Sequence, residues 1–372
     1  MRYNSNLSFE IFLDTAPGLE NALYDEVRGK GFKKAKAIKG GVTIQGGWPE
    51  VWRANLWIRG ASRVLARIAS FQVLHLSHLD MRAREVPWDD ILHPDLPFRV
   101  EVSCSKSRIY HSDAAAERIV RAIKETLKAS HSPEAEITIM ARIERDICTI
   151  SVDTSGDLLH KRGYKASINK APMRENMASL FLQKCGYRGT ESVYDPMCGS
   201  GTFVIEAAEI AAKLNPGRAR HFAFEKLVTF EPHEWEKMRS VQRQATSEIQ
   251  SYGSDRDEGA IKMSIENAGR AGVEKVSQFK HQTIRDITRP TDAPGLVILN
   301  PPYGARISDK RKLIPLYQTL GDVLRSRFSG WRVGIITSDA NLAKATGLRF
   351  LPPDAPGQHG GVRITLYRTE AL

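Results

Sequence analysis

The sequence predicts an α/β protein in which a two-layer α+β region precedes a domain built on a mainly parallel sheet. Residues 1–155 contain short strand and helix segments in mixed order, which is typical of α+β modules. From Glu191 onward, apolar strand segments alternate with helical segments, which is the pattern of a parallel sheet covered by helices. The length of 372 residues allows two or three such domains.

In the first 155 residues, apolar spacing predicts strands and helices, ended at several points by glycine. In chain order they are a strand at Leu7–Leu13, a helix at Pro17–Gly29, a strand at Gly40–Gln45, a helix at Val51–Leu65, strands at Val64–Val73 and Phe98–Val102, a helix at Ala114–Ala129, and a hairpin of Ile137–Ile143 with Ile147–Val152. Trp48, Trp52 and Trp57 fall near helical spacing, and we expect them in the core or at a domain contact rather than stacked on bases.

A basic segment follows. Between Leu158 and Thr190, seven Lys and Arg residues stand against a single acid, Glu175. Helical spacing begins near Pro172 and continues to Cys185. This composition is typical of a solvated helix between domains, and it also suits contacts with nucleic acid, so both interpretations stay open.

Beyond Glu191 the predicted elements alternate in the manner of a parallel sheet. They are Val193-Tyr194 (strand), Gly201–Leu214 (helix), Ile261–Ala271 (helix), Leu296–Leu299 (strand), Ile314–Arg327 (helix) and Val333–Thr337 (strand). An insertion, Asn215–Ser247, is expected between the first helix and the second strand.

Composition and charge limit the function classes. The 41% hydrophobic and 26% charged residues are ordinary for a globular protein, and no window of about 20 apolar residues could span a membrane. Residues 1–12 lack the apolar core of a secretory signal. The net charge of +11 favours an acidic partner such as nucleic acid. Four widely spaced cysteines without a C-x-x-C pair indicate neither a disulfide scaffold nor a zinc ribbon, so we expect a cytoplasmic protein.

The first chemical motif lies between a strand and an apolar helix. It consists of Asp195, Pro196, Met197, Cys198, Gly199, Ser200, Gly201 and Thr202. Small residues let a ligand approach the backbone, and a helix N-terminus presents unpaired N–H groups. The third glycine of a dinucleotide fingerprint and the Lys-Ser/Thr of a phosphate-binding loop are absent, which argues against NAD and ATP. An acid at the strand end suits a ligand with a cationic amine, such as the methionine part of S-adenosylmethionine.

The second motif directly follows the apolar strand that ends at Leu299. It consists of Asn300, Pro301, Pro302 and Tyr303. Successive prolines make a rigid turn, and open α/β sheets place ligands at the carboxyl ends of strands. The Asn amide oxygen and the prolyl carbonyls suit an exocyclic amine on a planar base, and Tyr303 offers a stacking face. Such acceptors favour a tetrahedral nitrogen, whose lone pair can attack a methyl group.

Two acids between these motifs are further candidates. Asp255, with its neighbour Arg256, follows a short strand candidate, and the aspartate could accept hydrogen bonds from ribose hydroxyls. Asp286 is expected at the end of the third strand, near an adenine amine. The pair His75 and His78 has no Cys or Glu partner at useful spacing, so we expect no metal site.

Residues 160–372 resemble the class I methyltransferase domain of bacterial ribosomal RNA guanine-N2 methyltransferases that carry a THUMP domain. The resemblance rests on a lead-in segment (158–164 with 171–176), the motif 195–202 and the motif 300–303. Residues 1–155 resemble the ferredoxin-like and THUMP pair through element order and length. The resemblance implies a Rossmann-like methyltransferase domain at 191–372, after a ferredoxin-like region (1–58), a THUMP domain (59–155) and a basic linker with lead-in helix (156–190).

The resemblance also implies S-adenosylmethionine as methyl donor and guanine N2 in large-subunit ribosomal RNA as acceptor. Relatives of the same architecture methylate transfer RNA. Some family members carry a second methyltransferase domain, which this sequence lacks, so we expect it to catalyse one reaction. Asn-Pro-Pro-Tyr also occurs in adenine-N6 DNA methyltransferases, which would have to flip a base out of a duplex. A non-catalytic RNA-binding assembly factor is a third alternative, and the intact Asn300 and Tyr303 argue against it.

Charge distribution points to the RNA contacts. Residues 301–350 hold nine Lys and Arg against three acids, whereas residues 51–150 hold fifteen against thirteen. We therefore expect phosphate contacts on the linker and near the second motif, rather than on the THUMP body. The candidates are Lys161, Arg162, Lys165, Arg306, Lys310, Arg311 and Lys312.

Overall fold

The structure, a computed structural model, describes residues 8–165, 173–241, 248–303, 313–353 and 355–372. These residues form two compact units. Unit 1 contains the described residues up to 15, together with 24–159 and 220–241. Unit 2 contains 16–23 and the described parts of 160–219 and 242–372. The insertion that the sequence places after the first helix of the parallel sheet therefore contributes residues 220–241 to unit 1.

Residues 8–159 form seven strands and four helices within the described part. The strands are β1 (Phe9–Asp14), β2 (Lys36–Ile38), β3 (Gly41–Gly46), β4 (Arg63–Gln72), β5 (Phe98–Ser105), β6 (Ile137–Glu144) and β7 (Ile147–Asp153). The helices are α1 (Glu20–Gly29), α2 (Trp48–Trp57), α3 (Leu76–Arg84) and α4 (Ser112–Leu127). One sheet contains all seven strands in the order β2-β3-β1-β4-β7-β6-β5. The strand β4 pairs with both β1 and β7, so the two predicted N-terminal modules share one continuous sheet.

Within unit 1, residues 220–241 pack against α2 through an aromatic cluster. The ring of Trp52 lies 6.2 Å from that of Phe224 and 6.0 Å from that of Phe230, measured between centroids. Trp235, in the helix formed by Pro232–Ser240, meets Phe224 edge-on, with 5.0 Å between the ring centroids. Trp48 and Trp52 are buried, which confirms the prediction that they belong to the core.

The remaining elements follow in chain order. They are α5 (Glu175–Lys184), β8 (Val193–Asp195), α6 (Thr202–Ala211), α7 (Pro232–Ser240), β9 (Ser251–Asp255), α8 (Glu258–Ala271), β10 (Ser277–His281), β11 (Leu296–Leu299), α9 (Ile314–Arg327), β12 (Arg332–Thr337), α10 (Ala340–Ala345), β13 (Gly357–His359) and β14 (Val362–Arg368). The second sheet has the order β10-β9-β8-β11-β12-β14-β13. Its first five strands are parallel, and β14 runs antiparallel to β12.

The second sheet has helices against both of its faces. Val297, Leu299 and Ile335 belong to a core cluster with Tyr317 and Phe328 of the α9 region. Side chains alternate along a strand, so Ile298 and Gly334 face the other way, where Gly334 lies against Cys185 at the end of α5. This burial on both faces explains why β11 is a continuous apolar run.

One expectation from the sequence is wrong, and one of the two interpretations of the basic segment is excluded. The predicted helix Val51–Leu65 ends at Trp57, because Ile58 adopts an extended conformation (φ −86°, ψ 122°) and leads into β4. The helix of the basic segment is not solvated: residues Glu175–Leu182 of α5 are buried, and α5 packs on α6. Among the described residues, no helix is long and apolar enough to cross a membrane. All four cysteines are free.

Candidate active site

Three strands carry the predicted site residues to one edge of the second sheet. Asp195 ends β8, Asp255 ends β9, and Asn300 directly follows β11. Because these strands are parallel neighbours, with Asp195 beside Gly253 and Leu296 beside Val193, their carboxyl ends lie at the same edge. The chain order reverses between β8 and β11, and such a switch point is where open α/β sheets bind ligands.

The glycine motif forms a tight turn whose carbonyl groups are fixed from α8. Gly199 and Gly201 have φ of +53° and +83°, a region that favours glycine. The hydroxyl of Ser264 donates to the Gly199 carbonyl (2.8 Å), and the Asn267 amide donates to the Ser200 carbonyl (3.0 Å). Gly201 is the N-cap of α6, so the turn places a helix N-terminus at the sheet edge.

Sequence reasoning did not identify Ser264 and Asn267 as supports of this turn. The signal was their spacing of three residues on α8, which places both on one buried face of the helix.

The two acids of this edge have different surroundings. Asp195 is 2% exposed, and its Oδ1 accepts a hydrogen bond from the Met197 N–H (3.0 Å). Burial raises the pKa of Asp195 well above its usual range, and the charge of Asp255 raises it further. Asp255 is half-buried and accepts from the Gly199 N–H and the Asp257 N–H, both at 3.0 Å. A cationic group bound here would hold the Asp195 carboxyl in its ionised form.

The Asn-Pro-Pro-Tyr turn is rigid and presents an unsatisfied acceptor. Asn300 Oδ1 is buried and has no hydrogen-bond partner among the described residues. The Pro302 carbonyl accepts from the Tyr317 hydroxyl (3.2 Å), which lies 3.4 Å from Thr337 Oγ1 at the end of β12. Burial raises the pKa of Tyr317 to about 12, so this hydroxyl keeps its proton. Tyr303 is half-buried against the α9 core cluster.

The Tyr317 support of the turn was missed from the sequence. Tyr317 lies in an ordinary apolar helix, and nothing in its spacing distinguishes it from a core residue. Its contact with the turn depends on the position of α9 beside β11, which no local sequence pattern encodes.

The other two predicted cofactor contacts, Arg256 and Asp286, are exposed. Arg256 is exposed, and its carbonyl oxygen lies 3.0 Å from His281 Nε2. Asp286 is exposed in the loop after β10, where its carboxylate accepts from Thr283 Oγ1 at 2.6 Å. Asp286 is therefore not at the end of the third strand, since β10 ends at His281. A cofactor role for both residues stays a prediction.

The basic segment corrects the phosphate-contact prediction. Arg162 is 3% exposed, and its Nε lies 3.1 Å from Glu206 Oε1. Lys165 Nζ lies 2.7 Å from Glu175 Oε1 and donates to Thr202 Oγ1 at 2.8 Å. Both cations are thus neutralised inside unit 2 by acids of α5 and α6, and neither is presented to a phosphate. The sequence signal for this pairing is an acid within an apolar helix, such as Glu206 in α6, because a buried acid requires a cationic partner.

The remaining phosphate candidates divide into two groups. Lys161 is exposed. Arg306, Lys310, Arg311 and Lys312 lie outside the described residues. Within the described ranges, no group of three His, Cys, Asp or Glu residues is placed to hold a metal ion.

Comparison with known protein families accounts for this arrangement. Residues 162–352, more than half of the chain, match the family described as the RMKL-like methyltransferase domain. This chain belongs to that family. Residues 10–65 match the RlmL ferredoxin-like domain, and residues 76–153 match the THUMP domain. The predicted architecture of ferredoxin-like, THUMP and class I methyltransferase parts is thereby confirmed, whereas the exact boundaries at 58, 155 and 190 stay predictions.

Curated relatives are similar over most of this chain. Ribosomal RNA large subunit methyltransferase K/L of Syntrophotalea carbinolica is 36% identical over an alignment of 360 positions, which covers 91% of this chain and 50% of that protein. The protein of the same name from Psychromonas ingrahamii is 33% identical, over 91% of this chain and 47% of its own length. The chain spans about half the length of the curated relatives it matches.

Solved structures share the whole fold. A possible methylase from Clostridium difficile 630 superposes with a TM-score of 0.91 at 29% identity, covering 98% of this chain and 99% of that one. SMU.472 complexed with SAH gives 0.88 at 26% identity, covering 98% of each chain. A Listeria monocytogenes protein described as a predicted N6-adenine-specific DNA methylase gives 0.88 at 27% identity, covering 98% of this chain and 97% of that one.

Proposed function

We propose that this protein transfers a methyl group from S-adenosylmethionine to the exocyclic N2 amine of a guanine in RNA, with large-subunit ribosomal RNA in the cytoplasm as its substrate. The THUMP match, the names of the curated relatives and the geometry of the sheet edge support this assignment. The observation that carries it is Asn300 Oδ1, a buried acceptor without a partner among the described residues, beside the strand that carries Asp195.

The residues at the edge fit the proposed cofactor. S-adenosylmethionine supplies a methyl group on a positively charged sulfur. Asp195 offers a carboxyl whose pKa burial raises, and a bound cationic amine would hold it in its ionised form. The turn at Gly199 and Gly201 leaves room for close approach, because it lacks side chains where the backbone bends. Asp255 is held by two backbone N–H groups, and the remaining lone pairs of its carboxylate would accept from ribose hydroxyls. The structure of SMU.472 complexed with SAH supports this assignment.

The second motif accounts for activation of the amine. Asn300 Oδ1 would accept one amine hydrogen, and we assign the Pro301 carbonyl to the other, because the Pro302 carbonyl already accepts from Tyr317. Two fixed acceptors favour a tetrahedral nitrogen with a free lone pair. The acceptors are rigid, so they need no reorganisation in the transition state. Tyr303 would stack on the base and hold it in register with the methyl donor.

The assignment is tested by mass spectrometry of nucleosides from a strain that lacks the gene. We expect ribosomal RNA to lose N2-methylguanosine at one position, the wild-type gene to restore it, and the Asn300→Ala variant not to. Loss of a methylguanosine from transfer RNA instead would show that the substrate is transfer RNA and not ribosomal RNA. Unchanged RNA with loss of N6-methyladenine from DNA would replace it with the alternative that Asn-Pro-Pro-Tyr and the Listeria monocytogenes structure leave open.

A further inference from the structure

Two loops of unit 1 form one continuous surface at the end of its sheet. Residues 106–111 connect β5 to α4, and Arg145-Asp146 connects β6 to β7. Arg145 N–H donates to the Ser105 carbonyl (3.3 Å), and Asp146 N–H donates to Ser107 Oγ (3.0 Å). Arg108 N–H donates to Asp146 Oδ1 (2.8 Å). We call these residues, 106–111 with 145–146, the loop-pair surface.

An aromatic platform projects from the loop-pair surface. Tyr110 is 72% exposed, the highest value among the exposed large hydrophobic side chains of the described residues. Its ring lies 4.1 Å from the ring of His111, at an interplanar angle of 43°. The preceding residue, Ile109, is buried and anchors the loop. A tyrosine that is exposed yet held by a neighbouring ring presents a stacking face rather than contributing to the core.

Positive charge surrounds this platform. Lys106, Arg108 and Arg145 are all exposed, and the Nε of Arg108 lies 3.7 Å from Asp146 Oδ2. Arg145 stands between Glu144 and Asp146 in the chain, and among the described residues neither Arg145 nor Lys106 forms a salt bridge. Helix α4 begins at Ser112, and its N-cap His111 gives no side-chain hydrogen bond to the first turn. The N–H groups of that turn therefore add to the positive potential beside Tyr110, which Asp113 in the same turn reduces in part.

The backbone gives a second reason to regard these cations as functional. Arg145 and Asp146 have φ of +51° and +62°, the conformation of a two-residue hairpin turn that favours Asn-Gly. Lys106 has φ of +50°. Long side chains are disfavoured in this region, so the fold alone would be better served by glycine or asparagine at both cationic positions.

We propose that the loop-pair surface binds an unpaired nucleotide of the RNA substrate, with the base stacked on Tyr110 and the adjacent phosphates on Lys106, Arg108 and Arg145. The proposal rests on the proposed function only in taking RNA as the substrate. A stacking face with surrounding cations suits single-stranded RNA, because every base has a π-face and every linkage carries a negative charge. A blunt duplex would offer the charge but not the free base.

The test measures binding of the full chain to two RNAs: a stem with an unpaired extension and the same stem with blunt ends. We expect Tyr110→Ala to weaken binding of the extended RNA by about tenfold, to leave the blunt stem nearly unaffected, and Tyr110→Phe to bind as the wild type does. Arg145→Asn should weaken binding of both RNAs, reduce the slope of log affinity against log salt by about one, and leave the melting temperature equal or higher.

Lys128→Asn is the matched control. Lys128 is also an exposed lysine with positive φ (+64°), but it lies at the other end of α4, about 24 Å from Ser112 at 1.5 Å per residue. We expect it to change neither binding nor the preference for the extended RNA.

Three results would overturn the proposal: equal losses for Tyr110→Ala on both RNAs, no loss at all, or an equal effect of Lys128→Asn. Detection of an acidic protein bound through Tyr110, with RNA affinity unchanged in Tyr110→Ala, would assign the surface to a protein partner instead. The assignment of guanine as the methyl acceptor is tested separately. If the wild-type chain binds and methylates RNA and Tyr110→Ala does so equally well, only the proposal for the loop-pair surface is wrong.

Discussion

The two sheets of this protein present polar groups in opposite ways. In the second sheet, parallel strands bring Asp195, Asp255 and Asn300 to one edge. There the Asp195 carboxyl is buried with a raised pKa, and Asn300 Oδ1 is buried without a hydrogen-bond partner among the described residues. In the first sheet, mostly antiparallel, strand ends alternate, and the cations of the loop-pair surface are exposed on connecting loops. Buried unsatisfied groups suit a small ligand that replaces water, and exposed cations suit a phosphate backbone.

The largest effect is expected at the second sheet's edge. Asn300→Ala removes an acceptor that is used mainly in the transition state, so kcat should fall by about a hundredfold or more, by analogy with loss of one oxyanion-hole donor. Cofactor affinity, measured by calorimetry, should change little. Asn341→Ala, at an exposed asparagine of α10, is the control and should keep full turnover. Loss of cofactor affinity in parallel with kcat would show that Asn300 is a binding or folding residue.

In unit 1, the expected effect is on stability rather than on activity. Trp52→Ala should lower the free energy of unfolding by about 3–5 kcal/mol, because it removes a buried ring that packs on Phe224 and Phe230. Trp57→Ala, in the same helix but half-exposed, should cost clearly less. A fragment that begins near residue 156 would likewise lose the contacts of Phe224 and Phe230 with Trp52. Equal losses for the two variants in urea unfolding would show that residues 220–241 are not part of the core of unit 1.

The cofactor acids come next. Asp255→Ala removes the acceptor for the Gly199 N–H and a proposed ribose contact, so S-adenosylmethionine affinity should fall by about tenfold or more, as expected for charge-assisted hydrogen bonds. Asp257→Asn, which retains an N-cap oxygen for α8, should bind normally. Unchanged affinity of Asp255→Ala in calorimetry would remove this residue from the site.

Tyr303 is expected to act through its ring. Tyr303→Phe should keep most of the activity, and Tyr303→Ala should raise the KM for RNA, because stacking needs the ring and not the hydroxyl. If steady-state kinetics show that Phe is as damaging as Ala, the phenol takes part in the chemistry.

The smallest effect is a pH dependence of stability. The raised pKa of Asp195 means that the folded state holds more protons than the unfolded state between the two pKa values, so stability falls as pH rises through that window. Asp195→Asn should therefore melt at a higher temperature than the wild type at pH 8, and the difference should vanish below about pH 4. It should also lose cofactor affinity. An unchanged melting temperature at pH 8 would show that burial does not raise the pKa of the Asp195 carboxyl.

The sequence predicted the chemistry of the second sheet better than the surface of the protein. Asp195, the glycine turn and Asn300 were found because short motifs between a strand and a helix specify backbone position almost directly. Arg162 and Lys165 were assigned to RNA wrongly, because their partners Glu206 and Glu175 are distant or ambiguous in sequence and come together only through packing of α5 on α6.

Long-range packing also explains the structural features that were missed. The assignment of residues 220–241 to unit 1 depends on rings separated by about 170 residues, such as Trp52 and Phe224, and no local pattern encodes that contact. The support of the Asn300 turn by Tyr317 depends likewise on where α9 lies beside β11. Local periodicity determines where helices and strands form, and the tertiary contacts decide which polar groups remain available for a ligand.

The central claim is that the edge of the second sheet methylates the exocyclic amine of guanine in RNA. The most direct test incubates the purified full chain with a deuterium-labelled methyl donor and ribosomal RNA or DNA, then identifies the labelled nucleoside by mass spectrometry. The account predicts labelled N2-methylguanosine from RNA with the wild type and none with Asn300→Ala. Labelled N6-methyladenine from DNA, or label retained in the Asn300→Ala reaction at the wild-type rate, would contradict it.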